Sequence, residues 1–311
     1  MLHFVNETST QDDYRRRIAR ALAYVQAHLD DALSPADLAD VACFSRYHFH
    51  RIFRGVVGES VMGHVRRLRL ERAAMRLKHT VRPVTGIAFE AGYEAHEAFT
   101  RAFGERFGCS PSEFRARHRP LAWPSAPNAV HYRDEDVPHD DLTNDLPAAR
   151  GLDIDVTIRE LPARQIAFVR HVGPYDGVGE AFDELLAWAV PCGLMTGLSE
   201  ILGRCHDDPE ITAPEHIRFD ACITLSGDPP REAPSSVAFD TIPGGPYAMA
   251  LHRGPYSSLS ETYHALFGHW LPASGREPHD GPCIEHYFDN PETTLPEDLE
   301  TEVAVLLEEP R

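Results

Sequence analysis

Two stretches of this chain carry hydrogen-bonding side chains at helical spacing, each backed by an apolar stripe. In the first, Arg46, Tyr47, His50, Arg51 and Arg54 fall opposite Phe49, Ile52, Phe53, Val56 and Val57. In the second, His96, Glu97, Thr100 and Arg101 fall opposite Phe99, Ala102, Phe103 and Phe107. The two are in register: Phe49, Arg51, Phe53 and Gly58 recur as Phe99, Arg101, Phe103 and Gly108, at an offset of 50. Guanidinium forks suit guanine edges and phosphate, and a glutamate can accept from cytosine N4. One exposed arginine is most simply a solvated surface residue. A polar face that repeats in register calls for a partner, and the chemistry fits a DNA duplex.

A third group lies in the C-terminal half. The apolar strand pattern around Glu285 places Cys283, Glu285 and Tyr287 on one face. Tyr175 and Tyr256 each follow a Gly-Pro turn and match at an offset of 81, as do His171 and His252, and Glu180 and Glu261. Trp188 and Trp270 sit on helix faces, where core packing competes with a place in a binding wall.

These residues need elements to hold them. Ile18, Leu22, Val25 and Leu29 form the stripe of a first helix. Ser34-Pro35-Ala36-Asp37 opens the next, with a cap, a proline at the first position and an early acid. A turn at Cys43-Phe44 leads to a helix starting at the N-cap Ser45. This is helix, short turn, then a helix with a basic outer face: a helix-turn-helix. The second copy turns at Gly92, and Ser110-Pro111-Ser112-Glu113 is a capping box before Phe114. Between the copies, GHVRRLRLERAAMRLKHT reads as one long basic helix that would hold two reading heads at a fixed separation. The predicted fold class is an all-α N-terminal domain with two helix-turn-helix motifs joined by a long helix, followed by an α+β domain of two β-α-β-β repeats. The strands expected are 156–158, 165–172, 218–225, 237–242, 247–252, 283–288 and 302–307, with helices over 180–189 and onward from Tyr256 through Trp270, on one side of an antiparallel sheet.

Residues 119–150 hold five prolines and six acids without periodicity and read as an extended acidic linker. The domains expected are therefore 12–118, the linker 119–150, and 151–311. The 311 residues carry a formal net charge of −18, which by itself disfavours a polyanionic partner. The average conceals a split. Residues 1–120 hold 19 Arg and Lys against 14 Asp and Glu, a balance of +5; residues 121–311 hold 11 against 34, a balance of −23. Such asymmetry points to two jobs on one chain. No apolar run reaches membrane-spanning length and the N-terminus has no secretory apolar core, so a cytoplasmic protein without a membrane partner is expected. The six cysteines are at least 13 residues apart and the histidines show no ligand spacing, so no metal and no cofactor is expected.

On these motifs residues 12–118 resemble the DNA-binding domain of the AraC/XylS family of transcription regulators. The resemblance rests on A-x-x-A-C-F-S-R-Y-H-F-H-R-I-F-R and on I-A-F-E-A-G-Y-E-A-H-E-A-F-T-R-A-F-G-E-R-F-G-C-S-P-S-E-F-R. It implies base-reading positions at Tyr47, His50 and Arg51 in the first head and at Glu97, Thr100 and Arg101 in the second. Ala95 departs from the pattern: the family often has a small polar cap there. Gly86 weakens the preceding helix. Residues 153–308 resemble the gyrase-inhibitor-like effector-binding domain, on R-H-V-G-P-Y, H-R-G-P-Y, W-L-P-A-S-G and G-P-C-I-E-H-Y. In relatives that bind cationic drugs a glutamate of the final P-x-x-E-x-Y strand pairs with the ligand. Here that residue is Glu285, with Tyr175, Trp188, Tyr256, Trp270 and Tyr287 as candidate walls.

The resulting expectation is a sequence-specific transcription regulator, not an enzyme. Its partners would be promoter or operator DNA and a small cationic or aromatic effector, with RNA polymerase a further candidate, and it would act as a monomer or dimer. Two alternatives come from other classes. One is a hydrolase of reactive small molecules with Glu285 as base and a tyrosine as acid; the other is a module that docks on a protein.

Overall fold

The computed structural model describes residues 7–117, 122–133, 142, 143, 146, 154–209, 211–230 and 232–309. The chain divides into two compact units: residues 12–49 and 53–150 form one, and residues 1–11, 50–52 and 151–311 the other.

The helical unit follows its sequence signals closely. Helix α1 (Glu7–Ala27) buries Ile18, Leu22 and Val25 completely. Helix α2 (Pro35–Ala42) starts at Ser34, whose hydroxyl accepts the Asp37 amide, and ends at Cys43 in the left-handed region at φ 55°. Helix α3 (Phe49–Val57) begins later than expected. Ser45 accepts the amide of Tyr47 at 3.2 Å, making a turn of Arg46–His48 before the helix, so Arg46 and Tyr47 precede α3 rather than lie on it. The long helix is α4 (Val61–His79), and α5 (Val84–Glu90), α6 (His96–Phe107) and α7 (Pro111–Ala116) complete the second head. The capping box at Ser110 and Glu113 is formed in both directions. Gly92 holds the turn before α6 at φ +83°, where a Cβ would stand 2.9 Å from the Arg69 guanidinium.

The basic character of α4 serves packing. Arg67 binds Glu59 and Glu71, Arg69 donates to the Leu29 carbonyl, Arg72 pairs with Asp30, and Arg76 pairs with Glu90. Charge alone could not show this, because all but one of these acceptors lie outside α4, the exception being Glu71.

As expected, α6 lacks a side-chain cap at Ala95. Ala95→Ser, whose backbone already holds the extended N-cap conformation (φ −117°, ψ 132°), should stabilise the helical unit by about 1 kcal/mol. A urea titration reading the folding midpoint checks this, and an unchanged or lowered midpoint contradicts it.

The expected linker is corrected in part. Residues 122–133 are anchored against the helical unit: the Arg67 guanidinium donates to the Val130 carbonyl at 3.0 Å, and Val130 is fully buried. Leu142 and Leu146 are buried as well. Proline content reported a lack of helix or strand, and an irregular segment can still bury apolar side chains. The six acids of this stretch lie outside the described residues.

The second unit is one eight-stranded, wholly antiparallel sheet in the order β1-β6-β8-β7-β3-β4-β2-β5. Its strands are β1 (Val156–Leu161), β2 (Arg164–Val172), β3 (Ile201–Cys205), β4 (Arg218–Thr224), β5 (Val237–Ile242), β6 (Gly245–Arg253), β7 (Cys283–Tyr287) and β8 (Glu300–Leu306). Helix α8 (Val178–Ala189) joins β2 to β3; α9 (Leu259–Ala265) runs through a π-turn (Leu266–Trp270) into α10 (Leu271–Ser274) before β7. The β-α-β-β repeats are present as β2-α8-β3-β4 and β6-α9-β7-β8. Each repeat also has a leading strand that crosses to the other: β1 pairs with β6, and β5 with β2. Sequence reading missed β3, where Gly203 and Arg204 break the apolar pattern. The two repeats meet at β3 and β7, whose central paired residues are Gly203 and Glu285.

Candidate functional site

The second head presents its polar face to solvent. His96, Glu97 and Arg101 are exposed on α6 and Thr100 is half-buried, while Phe99 and Phe103 are fully buried behind them. Thr100 and His96 lie one turn apart, 3.5 Å between Oγ1 and Nε2. Phe103 meets Phe107 and Phe114 at 4.4 and 5.3 Å, so this polar face is backed by an aromatic core.

In the first head Tyr47 and Arg46 are exposed, with Arg46 paired to Asp40 at 2.6 Å, and Arg54 is half-buried. His50 and Arg51 do not match the expected exposure: both are buried. Helical spacing sets them off the stripe of Phe49, Ile52 and Phe53. A wheel identifies a face and says nothing about what covers it.

In the sheet unit, Glu285 is buried, and both carboxylate oxygens accept from phenols. Tyr263 donates to Oε1 at 2.7 Å and Tyr287 to Oε2 at 2.5 Å. Burial raises the pKa of both phenols, so they stay protonated and act as donors. Tyr287 meets Phe182 and Tyr256 edge-on at 5.8 and 5.7 Å, and Phe219 meets Phe182 and Tyr175, each at 5.9 Å. Glu285 thus stands within a set of aromatic rings drawn from both repeats.

Gly203 makes room for this arrangement. A Cβ there would lie 2.5 Å from Phe219 Cζ and 2.7 Å from the Tyr287 hydroxyl. Where the repeats meet, one supplies the Glu285 carboxylate and the other Gly203, which has no side chain.

Of the expected walls, Tyr175, Tyr256 and Tyr287 join this cluster. Trp188 does not. Its ring packs on Phe239 of β5 at 6.1 Å, and β5 is the edge strand, four steps or about 19 Å across the sheet from β7. Trp188 therefore serves packing at the sheet edge. Phe182, Phe219 and Tyr263 were missed. The offset of 81 that relates Tyr175 to Tyr256 also relates Phe182 to Tyr263, so the repeat held a signal for both.

The opposite face of the sheet carries a separate cavity of about 110 Å³, lined in part by Arg159, Arg164, Glu200, His286 and Glu302. Also on that face, Asp220 binds Arg170, Arg204 and His206, which hold its carboxyl well below the usual range despite burial. Among the described residues, no group of three His, Cys, Asp or Glu side chains is placed to hold a metal ion. All six cysteines are free, four of them buried.

Residues 154–308 match the family model described as a GyrI-like small molecule binding domain, and residues 38–117 match one described as a helix-turn-helix domain. The probable transcriptional regulator YgiV of Escherichia coli is 33% identical over 158 residues, half of this chain and 98% of YgiV. The chain belongs to the GyrI-like family. Its helical unit is a helix-turn-helix domain of the AraC type. There the uncharacterized HTH-type transcriptional regulator YbfP of Bacillus subtilis is 35% identical over 102 residues, 33% of this chain and 35% of YbfP. Among solved structures, an EcmrR–DNA complex is similar at 19% identity and a TM-score of 0.44, covering 50% of this chain and 58% of that one. The GyrI-like domain is the part with Glu285 at its centre. Among the described residues no helix is long and apolar enough to cross a membrane.

Proposed function

We propose that this chain is a ligand-responsive transcription regulator that reads duplex DNA through its helix-turn-helix heads and receives a small cation at Glu285. One observation carries the reading: a solvent-facing polar helix face and a buried carboxylate ringed by tyrosines occur in one chain. In the second head, Glu97, Thr100 and Arg101 are the reading side chains, with His96 beside them. In the first, Arg46, Tyr47 and Arg54 contact DNA. A ligand acts on DNA affinity only through different affinities for two arrangements of the protein.

The test uses the full chain and a duplex selected by the wild-type protein from a randomised pool. Arg101→Ala should weaken binding at least about 10-fold, the scale of one lost base contact. Wild-type affinity in that variant would refute the assignment.

A second reading, hydrolysis of a reactive small molecule, has one observation in its favour. Two protonated phenols lie within hydrogen-bonding distance of one carboxylate, the pairing that general acid–base chemistry uses. Product formation from an electrophilic ester, absent in Glu285→Gln, would establish it; binding without turnover would remove it.

A further inference from the structure

Residues 119–150 are read from the sequence as a linker, yet their part 123–133 reaches both reading heads. On one side Asn128, nearly fully buried, donates to the Val57 carbonyl at the end of α3 and to the Glu59 carboxylate, each at 3.0 Å. The neighbouring Pro127 packs against Gly58, whose ideal Cβ would stand 3.0 Å from Pro127 Cβ. On the other side Arg106 of α6 donates to the carbonyls of Ser125 and Pro124 at 2.7 and 3.1 Å. Trp123 packs on the aromatic core of the second head and stacks on His131 at 5.9 Å.

Between the two anchors lies Glu71, at the middle of α4 and fully buried. It accepts from Arg67 of its own helix, from Arg106 of the second head, and from the His131 ring and the Tyr132 amide of the segment, at 3.0 to 3.1 Å. The side chain of Gln26 on α1 holds the His131 carbonyl at 2.8 Å. Helix α4 is one rod about 28 Å long between the heads, and its Arg72 joins Asp30 to the Glu90 carbonyl. The segment adds a second connection, through buried charge-assisted hydrogen bonds.

We infer that residues 123–132 act as a strap that fixes the orientation of one reading head relative to the other, with Asn128, Arg106 and Glu71 as positioning residues for DNA spacing. The inference rests on the proposed DNA reading by both heads. Its consequence is specificity for the distance between two half-sites. Preorganised heads engage the second half-site as an intramolecular event, and that gain is lost when geometry forbids both contacts at once. Inserting one base pair moves a half-site by about 3.4 Å and turns it by about 34°, given 10–10.5 base pairs per 34–36 Å turn.

The experiment measures affinity for a selected duplex carrying both half-sites, and for the same duplex with one base pair inserted between them. The wild-type chain should lose about 10-fold on insertion. Asn128→Ala and Arg106→Ala, with helical content verified by circular dichroism, should lose less than about 3-fold, because the freed heads adjust. Unchanged spacing discrimination in both variants overturns the strap. Equal weakening on both duplexes also overturns it, because general destabilisation gives that result. If Arg101→Ala leaves wild-type affinity intact, the DNA reading fails instead, and the two failures are told apart. Glu71→Gln, which keeps the shape and removes the charge, should fall between wild type and Asn128→Ala in spacing tolerance.

Discussion

Asp220→Ala should lower the stability of the GyrI-like domain by about 3 kcal/mol at neutral pH, the scale for removing one partner of a buried ion network. Asp220 is fully buried and accepts from Arg170 at 2.7 and 3.0 Å, from Arg204 at 2.8 Å and from His206 at 2.7 Å. Its removal leaves the mostly buried Arg204 with Asp240 alone, at 2.7 Å and half exposed to water. The guanidiniums of Arg170 and Arg204 also lie over Phe168 at 5.7 and 4.8 Å. The pH dependence has a definite sign. These partners depress the carboxyl in the folded state. Its contribution is therefore complete above the ordinary aspartate value of about 4 and is lost as pH falls from there towards the folded value. Urea unfolding from pH 7 to pH 3 should show wild-type stability falling below pH 4, with a flatter profile in Asp220→Ala. Equal slopes would mean that Asp220 titrates alike in the folded and unfolded chain. In the helical unit Glu59 has the same sign: His64 and Arg67 overcome its burial and hold its carboxyl down at about 2.

Glu285→Gln should weaken binding of an aromatic quaternary ammonium such as benzyltrimethylammonium about 30-fold or more. Removing one partner of a desolvated charge pair costs at least about 2 kcal/mol, and each 1.4 kcal/mol is tenfold. Glutamine keeps the shape and an oxygen for one phenol, so folding is preserved and the change reports on charge. Tyr287→Phe removes one hydroxyl from the carboxylate and leaves the ring against Phe182 and Tyr256. It should change affinity much less. Calorimetry on the full chain measures both. Equal affinity for the cation and for a neutral isostere in the wild-type protein would remove the carboxylate from ligand recognition. Aromatic burial alone would then account for binding.

Much of the helical unit was legible because its signals are local. Ser34, Pro35, Ser110 and Glu113 act within one turn of their own positions, and the apolar stripes at Phe49 and Phe99 need only helical periodicity. The start of α3 was misplaced because Ser45 satisfies a turn before the helix as readily as the helix itself. The exposure of His50 and Arg51 was misjudged because a wheel contains no neighbours. In the sheet unit the repeat that relates Tyr175 to Tyr256 could be read from spacing, while Glu285 as a ligand residue came from the family resemblance. Strand β3 could not, since its glycine and arginine answer to residues far away: Gly203 to Phe219 and Tyr287, Arg204 to Asp220 and Asp240.

Two tandem helix-turn-helix units, a repeated β-α-β-β pattern and the strand register of Glu285 with Tyr287 can be read from the order of the amino acids. All of these follow from periodicity and from side chains that act within a few residues. Long-range packing sets the rest: the arginines of α4 bind its neighbours, residues 123–132 touch both heads, Trp188 packs on Phe239, and Tyr263 and Gly203 stand against Glu285 and Tyr287. Those are contacts between residues distant in the chain. Their existence depends on which elements pack together, which local pattern does not encode.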